Sequence, residues 1–302
     1  MNPLNKLIVL TLPAVPKLIV GHFAKRYIAG DSFDDAARAV RNLNASSMMA
    51  TVDLLGEDVT TLDEAIAARK AYEKILSAFE VQQLDSNLSV KLTQLGLKLN
   101  KQFCTDNLVE ILEVARQQRN FVRIDMEDSS CTDDTLEIYR SVRRLFDNVG
   151  VVIQAYLRRS EVDVCELIKE KVNVRLCKGI YVEPEEIAFQ GQEEVRENFV
   201  KLLDLLLRNR CYVGIATHDD TLIGAAYGML QSMKFDRHEY EFQMLLGVRH
   251  DLRSSIVQSG HRMRIYIPFG RHWYAYSMRR LKENPQIAGY ILKSIFTRDR
   301  AA

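Results

Sequence analysis

Three short apolar runs in this chain carry charged residues where charge is costly to bury. They read LSVKL, ending at Leu92, FVRIDMED, ending at Asp128, and VNVRLCKG, ending at Gly179. In an extended strand successive side chains face opposite ways. Arg123, Asp125 and Glu127 therefore share one face of their run, and Ile124 and Met126 share the other. Arg175 and Cys177 share a face in the same way. A lone charge among apolar neighbours is destabilising unless it finds a partner. Lys91, Asp125 and Arg175 are thus expected to neutralise one another at one place. Such a cluster points to chemistry on a charged ligand; the plainer alternative is an ion network that only closes one end of a barrel.

A second group lies near the end of the chain, in HWYAYSMRRLKEN from His272 to Asn284. At helical spacing Tyr276, Arg280 and Glu283 fall on one face, with Arg279 beside them. Two adjacent guanidiniums can grip a small carboxylate through paired hydrogen bonds, and Lys91 would add a third cation. Alone, the Arg-Arg pair reads more readily as a solvated basic helix. Gly179 after Lys178 marks a strand end where backbone can approach a ligand, or an ordinary turn. His218, in THDD, is by itself more simply a turn residue. Asp125, Glu127, His218 and Asp220 do not form a convincing metal set. No nucleophile elbow or phosphate loop occurs.

Eight short β-branched runs supply the elements that must hold these groups: Met49–Leu55, Leu88–Leu92, Phe121–Met126, Val151–Tyr156, Val172–Cys177, Tyr212–Ala216, Tyr240–Leu245 and Met263–Pro268. Several are apolar nearly throughout, as parallel strands covered on both faces are. Between them run segments of helical period: Leu108, Ile111, Leu112 and Ala115 line one face, and Val195, Phe199, Leu202 and Leu206 another. Thr105 and Thr132 are expected N-caps, and Asp31-Ser32 is expected to cap a helix from Phe33 to Leu43. Strands alternating with helices predict a closed α/β barrel, with residues 1–45 as an N-terminal helical arm and 46–302 as the barrel domain. No G-x-G-x-x-G follows any strand, which argues against an open dinucleotide-binding sheet. In such a barrel the reactive groups stand at the strands' C-terminal ends. There the sequence places Lys91, Asp125, Gln154, Lys178, Thr217-His218 and Tyr266.

Bulk properties narrow the partners. Hydrophobic residues at 47% and charged residues at 27% describe a globular protein, and a net charge of +1 gives no field to attract nucleic acid. Five cysteines without a CxxC pair suggest reduced thiols. Leu7 to Val15 is apolar, but Pro13 and Pro16 interrupt it and Lys17 follows. It reads as a docking segment, with targeting or membrane contact as the alternative. From the residues alone the reading stops at a barrel enzyme for a small anionic substrate.

The ordered series SVKLTQLG, RIDMED, VVIQAYLRRS, VRLCKGIY, IATHDD, EFQMLLGVR and YIPFGRHWYAYSMRRLKEN resembles the bacterial proline dehydrogenases, monofunctional or as a domain of proline utilisation flavoproteins. The resemblance implies a distorted (β/α)8 barrel of the TIM type, with its last helix over the mouth, and non-covalent FAD. It implies oxidation of L-proline to 1-pyrroline-5-carboxylate by hydride transfer to flavin, with electrons passed to a membrane quinone. Asp125 and Arg175 would form the catalytic pair. Lys91, Arg279 and Arg280 would bind the carboxylate, Glu283 would hold the arginines, and Tyr266, Tyr276, Tyr181 and Leu245 would wall the pocket. Met126, Gln154, Arg175, Lys178, Gly179, Ile180, Thr217 and His218 would line FAD. Trp273 and Tyr274 are expected to face away from the pocket. A cytoplasmic enzyme in transient membrane contact, served by a separate pyrroline-5-carboxylate dehydrogenase, is the implied setting. Two other readings stay open: a metal-dependent lyase or aldolase using Asp125, Glu127 and His218, and a non-catalytic sensor of small carboxylates.

Overall fold

The computed structural model describes residues 20–21, 24, 26–274 and 276–278. Eight parallel strands close into a barrel in chain order: β1 (Met49–Leu54), β2 (Ser86–Val90), β3 (Val122–Ile124), β4 (Val149–Gln154), β5 (Asn173–Cys177), β6 (Tyr212–Ala216), β7 (Tyr240–Leu245) and β8 (Met263–Phe269). β8 seals the ring against β1, in register from Met49 with Arg264 to Leu54 with Phe269. All eight expected strands are present; β3 is the shortest, so Asp125 lies just beyond its end, its N–H donating to the Val90 carbonyl at 2.9 Å.

Helices cover the outside: α1 (Phe33–Asn44), α2 (Leu62–Val81), α3 (Lys101–Gln117), α4 (Thr132–Arg143), α5 (Ser160–Leu167), α6 (Gln192–Arg208), α7 (Asp220–Ser232) and α8 (His250–Gln258). α1 precedes the first strand, and Ser32 caps it as expected, in a reciprocal box with Asp35. The cap expected at Thr105 is not one. α3 starts a turn earlier under Asn100, and Thr105 donates from inside it to the Lys101 carbonyl. Thr132 is already helical, and the Asp128 carboxylate caps the 3₁₀ turn ahead of it. Leu108, Ile111, Leu112 and Ala115 are buried on α3, as are Phe199, Leu202 and Leu206 on α6. Among the described residues no helix is long and apolar enough to cross a membrane.

The core sits between strands and helices, not inside the ring. Val52, Leu88, Val90, Ile124, Val151, Val174, Leu176, Val213, Ile215, Ile265 and Ile267 are all fully buried in one cluster with the helices. Barrels of this type are usually filled by branched apolar side chains. Here the inward positions are largely polar, which hydrogen bonds between non-adjacent strands demonstrate. Arg175 on β5 reaches Ser89 on β2 and Gln243 on β7, and Tyr266 on β8 reaches Asp125 after β3. Such bonds can be made only across the barrel axis. The apolar face builds the fold and the alternate face builds the site.

Candidate active site

A cavity of about 490 Å³ opens at the C-terminal ends of the strands. Every described candidate residue lines it: Lys91, Asp125, Met126, Gln154, Arg175, Lys178, Gly179, Ile180, Tyr181, Thr217, His218, Leu245, Tyr266 and Tyr276. Arg279, Arg280 and Glu283 lie outside the described residues, as do Leu7 to Val15. Where described, the segment after β8 is helical and brings Tyr276 over the mouth. Trp273 does not line the cavity; it packs on the cluster of Ala24, Ile28, Leu55 and Tyr276.

At the cavity's base is a buried network of charges. Arg175 donates from Nη1 to Asp125 Oδ1 at 2.8 Å and to Ser89 at 3.2 Å, and from Nε to Gln243 Oε1 at 2.6 Å. Its Cζ stands 5.2 Å from the centre of the Tyr266 ring, within cation–π range. Tyr266 Oη donates to Asp125 Oδ2 at 2.8 Å and Ser89 Oγ to Oδ1 at 2.6 Å. Lys91 Nζ stands 2.7 Å from Asp53 Oδ1 and 3.6 Å from Asp125 Oδ2. Asp53, Ser89 and Gln243 are members of the network that the sequence alone did not single out.

The electrostatics follow from this geometry. Burial opposes ionisation of Asp125, but Lys91, Arg175 and the Ser89 and Tyr266 hydroxyls outweigh it and hold the carboxyl below its usual range. Asp53 goes the other way: complete burial, with Asp125 near, raises it against the pull of Lys91. Burial works against the Lys91 charge, yet Asp53, Tyr266 and Asp125 carry the ammonium well above its ordinary value. The base of the cavity therefore sets two buried cations, Lys91 and Arg175, against Asp125 and Asp53. A donor set of that kind suits an anionic ligand.

The cavity wall is organised differently. His218 Nε2 accepts from the Leu245 N–H at 3.0 Å, which places the ring proton on Nδ1. Lys178 pairs with Asp219, which also takes Arg196 at 2.8 Å. Gly179 has φ +104°, and a Cβ there would lie 2.0 Å from the Tyr156 ring. Turn geometry and Tyr156 already require this glycine, whatever else approaches it. Gln154 donates to the Met126 carbonyl at 3.2 Å, while its Oε1 is buried with no donor among the described residues. Glu127 leaves the face it was expected to share with Asp125, because the chain has left the strand. It accepts from the Thr93 N–H at 3.0 Å and from its hydroxyl. Burial raises it to about 7, with Thr93 opposing. Arg123 lies at the opposite end of the barrel. Asp220 pairs with Arg249. Among the described residues no three His, Cys, Asp or Glu side chains are gathered for a metal ion.

Known proteins resemble this chain over most of its length. The profile of the family described as proline dehydrogenase matches residues 36–291. Proline dehydrogenase 1 of Bacillus subtilis subsp. natto is 39% identical over 272 residues, 90% of each chain. Proline dehydrogenase of Deinococcus radiodurans is 31% identical over 279 residues, covering 91% of this chain and 90% of that one. Among solved structures, proline utilization A from Bdellovibrio bacteriovorus, inactivated by N-propargylglycine, superposes with a TM-score of 0.84 at 26% identity. The match covers 92% of this chain and 36% of that larger one. With a closed eight-stranded barrel, a charge cluster at its mouth and relatives matched over nine-tenths of their length, the chain belongs to the proline dehydrogenase family.

Proposed function

We propose that the protein oxidises L-proline to 1-pyrroline-5-carboxylate with FAD as its cofactor. The observation that carries this reading is the buried Lys91–Asp125–Arg175–Tyr266 network at the base of the mouth cavity, in a chain of this family. Proline presents a carboxylate on a small apolar ring. It needs a cationic clamp and a wall of aromatic and aliphatic side chains, which Lys91, Tyr266, Tyr276, Tyr181 and Leu245 supply. Arg279 and Arg280 would complete the clamp, held by Glu283.

The residues present also fit a flavin. Gln154 Oε1 is a buried acceptor without a donor among the described residues, on a residue that lines the cavity, and a flavin ring edge carries N–H. Gln154, Met126, Arg175, Lys178, Gly179, Ile180, Thr217 and His218 would hold it. When bound, FAD supplies the two-electron acceptor for the hydride that leaves the ring carbon next to nitrogen. Arg175 would set a fixed positive charge beside the bound flavin and so favour negative charge developing there. Asp125 is held too low to be an effective proton acceptor at neutral pH; its part is to orient Arg175 and Tyr266.

Electrons would then pass to a membrane quinone, so the reading includes a cytoplasmic protein in transient contact with the membrane. A separate pyrroline-5-carboxylate dehydrogenase would consume the product. The test is proline-dependent dye reduction by the FAD-loaded protein, with the cyclic imine product trapped chemically. The expected result is one trapped imine for each two electrons delivered. Dye reduction without imine, or no reduction at all, would overturn the proposal.

A further inference from the structure

The barrel has a second cavity, at its other end. About 330 Å³ in volume, it opens at the N-terminal ends of the strands, with the exposed Asp85 and Arg119 at its rim. Inside stand the buried guanidiniums of Arg123 and Arg264 and the buried carboxylate of Glu241. None of the described mouth residues lines it, although Gln243 bridges its Glu241 to Arg175 at the mouth.

Arg123 is only 2% exposed. Its Nη1 donates to the carbonyls of Val151 at 3.1 Å and Asn173 at 2.7 Å, and its Nη2 to the Asn173 side chain. All of these acceptors are uncharged, and Nε has no acceptor among the described residues. Arg264 directs Nε to Glu241 at 2.7 Å and Nη1 to the Ala50 carbonyl at 2.7 Å. Among the described residues its Nη2 finds only the Met49 thioether, at 3.3 Å, and sulfur of that kind accepts weakly.

Two buried cations therefore share one buried carboxylate, and that carboxylate is committed to Arg264. Burial, reinforced by the Arg175 charge, pulls Arg123 down to about 9. Of the two rim charges, Asp85 acts on Arg264 and Arg119 adds a further cation. A guanidinium buried without a counter-charge is costly, yet the barrel makes room for this one. A Cβ on Gly150 would come within 2.4 Å of Arg123 Nη1, so β4 leaves the room that the guanidinium fills.

We propose that the floor cavity is a binding site for a small oxyanion, inorganic or a short carboxylate, which serves as the missing counter-ion to Arg123, with Arg264 as a further donor. Planar guanidinium donors favour oxyanions over spherical ions.

The test is crystallographic, on the full chain, with sodium selenate as probe and diffraction recorded at the selenium edge. The expected result is an anomalous peak in the floor cavity, within hydrogen-bond reach of the Arg123 or Arg264 guanidinium. Competition separates the two sources: displacement by phosphate identifies an inorganic oxyanion site, displacement by acetate a carboxylate site. In solution, Arg123→Met should weaken selenate binding about tenfold or more, the worth of one charge-assisted hydrogen bond. The wild-type crystals decide the matter even if that variant does not fold. Selenium at the mouth alone, or only water on the floor, would overturn the proposal.

Discussion

Replacing Gln243 by leucine tests how Arg175 is held. The Gln243 amide is fixed at both ends: Nε2 donates to Glu241 Oε1 at 2.6 Å and Oε1 accepts from Arg175 Nε at 2.6 Å. Glu241 is itself gripped by Arg264 at 2.7 Å and by Tyr212 at 2.9 Å. Burial opposes its charge, but Arg264, Gln243 and Tyr212 hold it down to about 2. An ionised Glu241 can only accept, so Gln243 must turn its nitrogen to it and its oxygen to Arg175. Leucine removes that acceptor. Arg175 is then hydrogen-bonded through Nη1 alone, to Asp125 and Ser89, with the Tyr266 ring beside it, and can rotate about that end. A hydrogen bond to a charged group is worth roughly 1.5–3 kcal/mol. If half of that is felt only in the transition state, kcat/KM falls by a factor of about 4 to 13. The variant keeps Lys91 and the pocket wall, so KM should change less than kcat. The assay is steady-state dye reduction over a proline series, with circular dichroism to establish folding. A folded Gln243→Leu protein with kcat within twofold of the wild type would mean that Arg175 does not depend on this anchor.

The same network sets three further outcomes. Lys91→Met should raise KM for proline tenfold or more in the dye assay and destabilise the fold by about 3–5 kcal/mol, because Asp53 is left buried without its cation. Adding Asp53→Asn should restore much of the stability, read by denaturant melts, and none of the activity. Asp125→Asn should lower kcat by about tenfold or more with modest loss of stability, since Arg175 and Tyr266 lose their common acceptor; unchanged kcat would contradict its orienting part. Glu127 gives a pH signature. Its carboxyl is raised from an ordinary 4.5 to about 7, so the unfolded chain releases this proton first. Its contribution to stability is complete below about 4.5 and is lost as pH rises through about 7, by at most about 3 kcal/mol. Denaturant midpoints of Glu127→Gln against wild type, from pH 4.5 to 8, should show a flatter profile for the variant.

The strands were legible because their outer faces pack against helices and so read as apolar runs. The same runs concealed the barrel's interior. Arg123, Asp125 and Arg175 stood out as charges, and counting by two along their strands led to the mouth. The same count backward from Leu245 reaches Gln243 and Glu241, and along β1 it reaches Thr51 and Asp53. Those partners escaped notice because a glutamine or a single aspartate in a strand carries no signal until its cross-barrel neighbour is known. Glu127 misled for a related reason: alternation holds only while the chain stays extended, and β3 ends at Ile124. The helix caps show the limit of local reading. Thr105 has the right chemistry, but α3 begins where Asn100 can accept from the Phe103 N–H, one turn earlier.

The most direct test of the proposed activity is an absorption spectrum of the purified, FAD-loaded protein, recorded without oxygen before and after L-proline. The expected spectrum has the bands of bound oxidised flavin, bleached by proline in proportion to the amount added. Flavin bands that proline leaves untouched would contradict the substrate, and a protein that stays colourless after reconstitution would contradict the cofactor and the function with it.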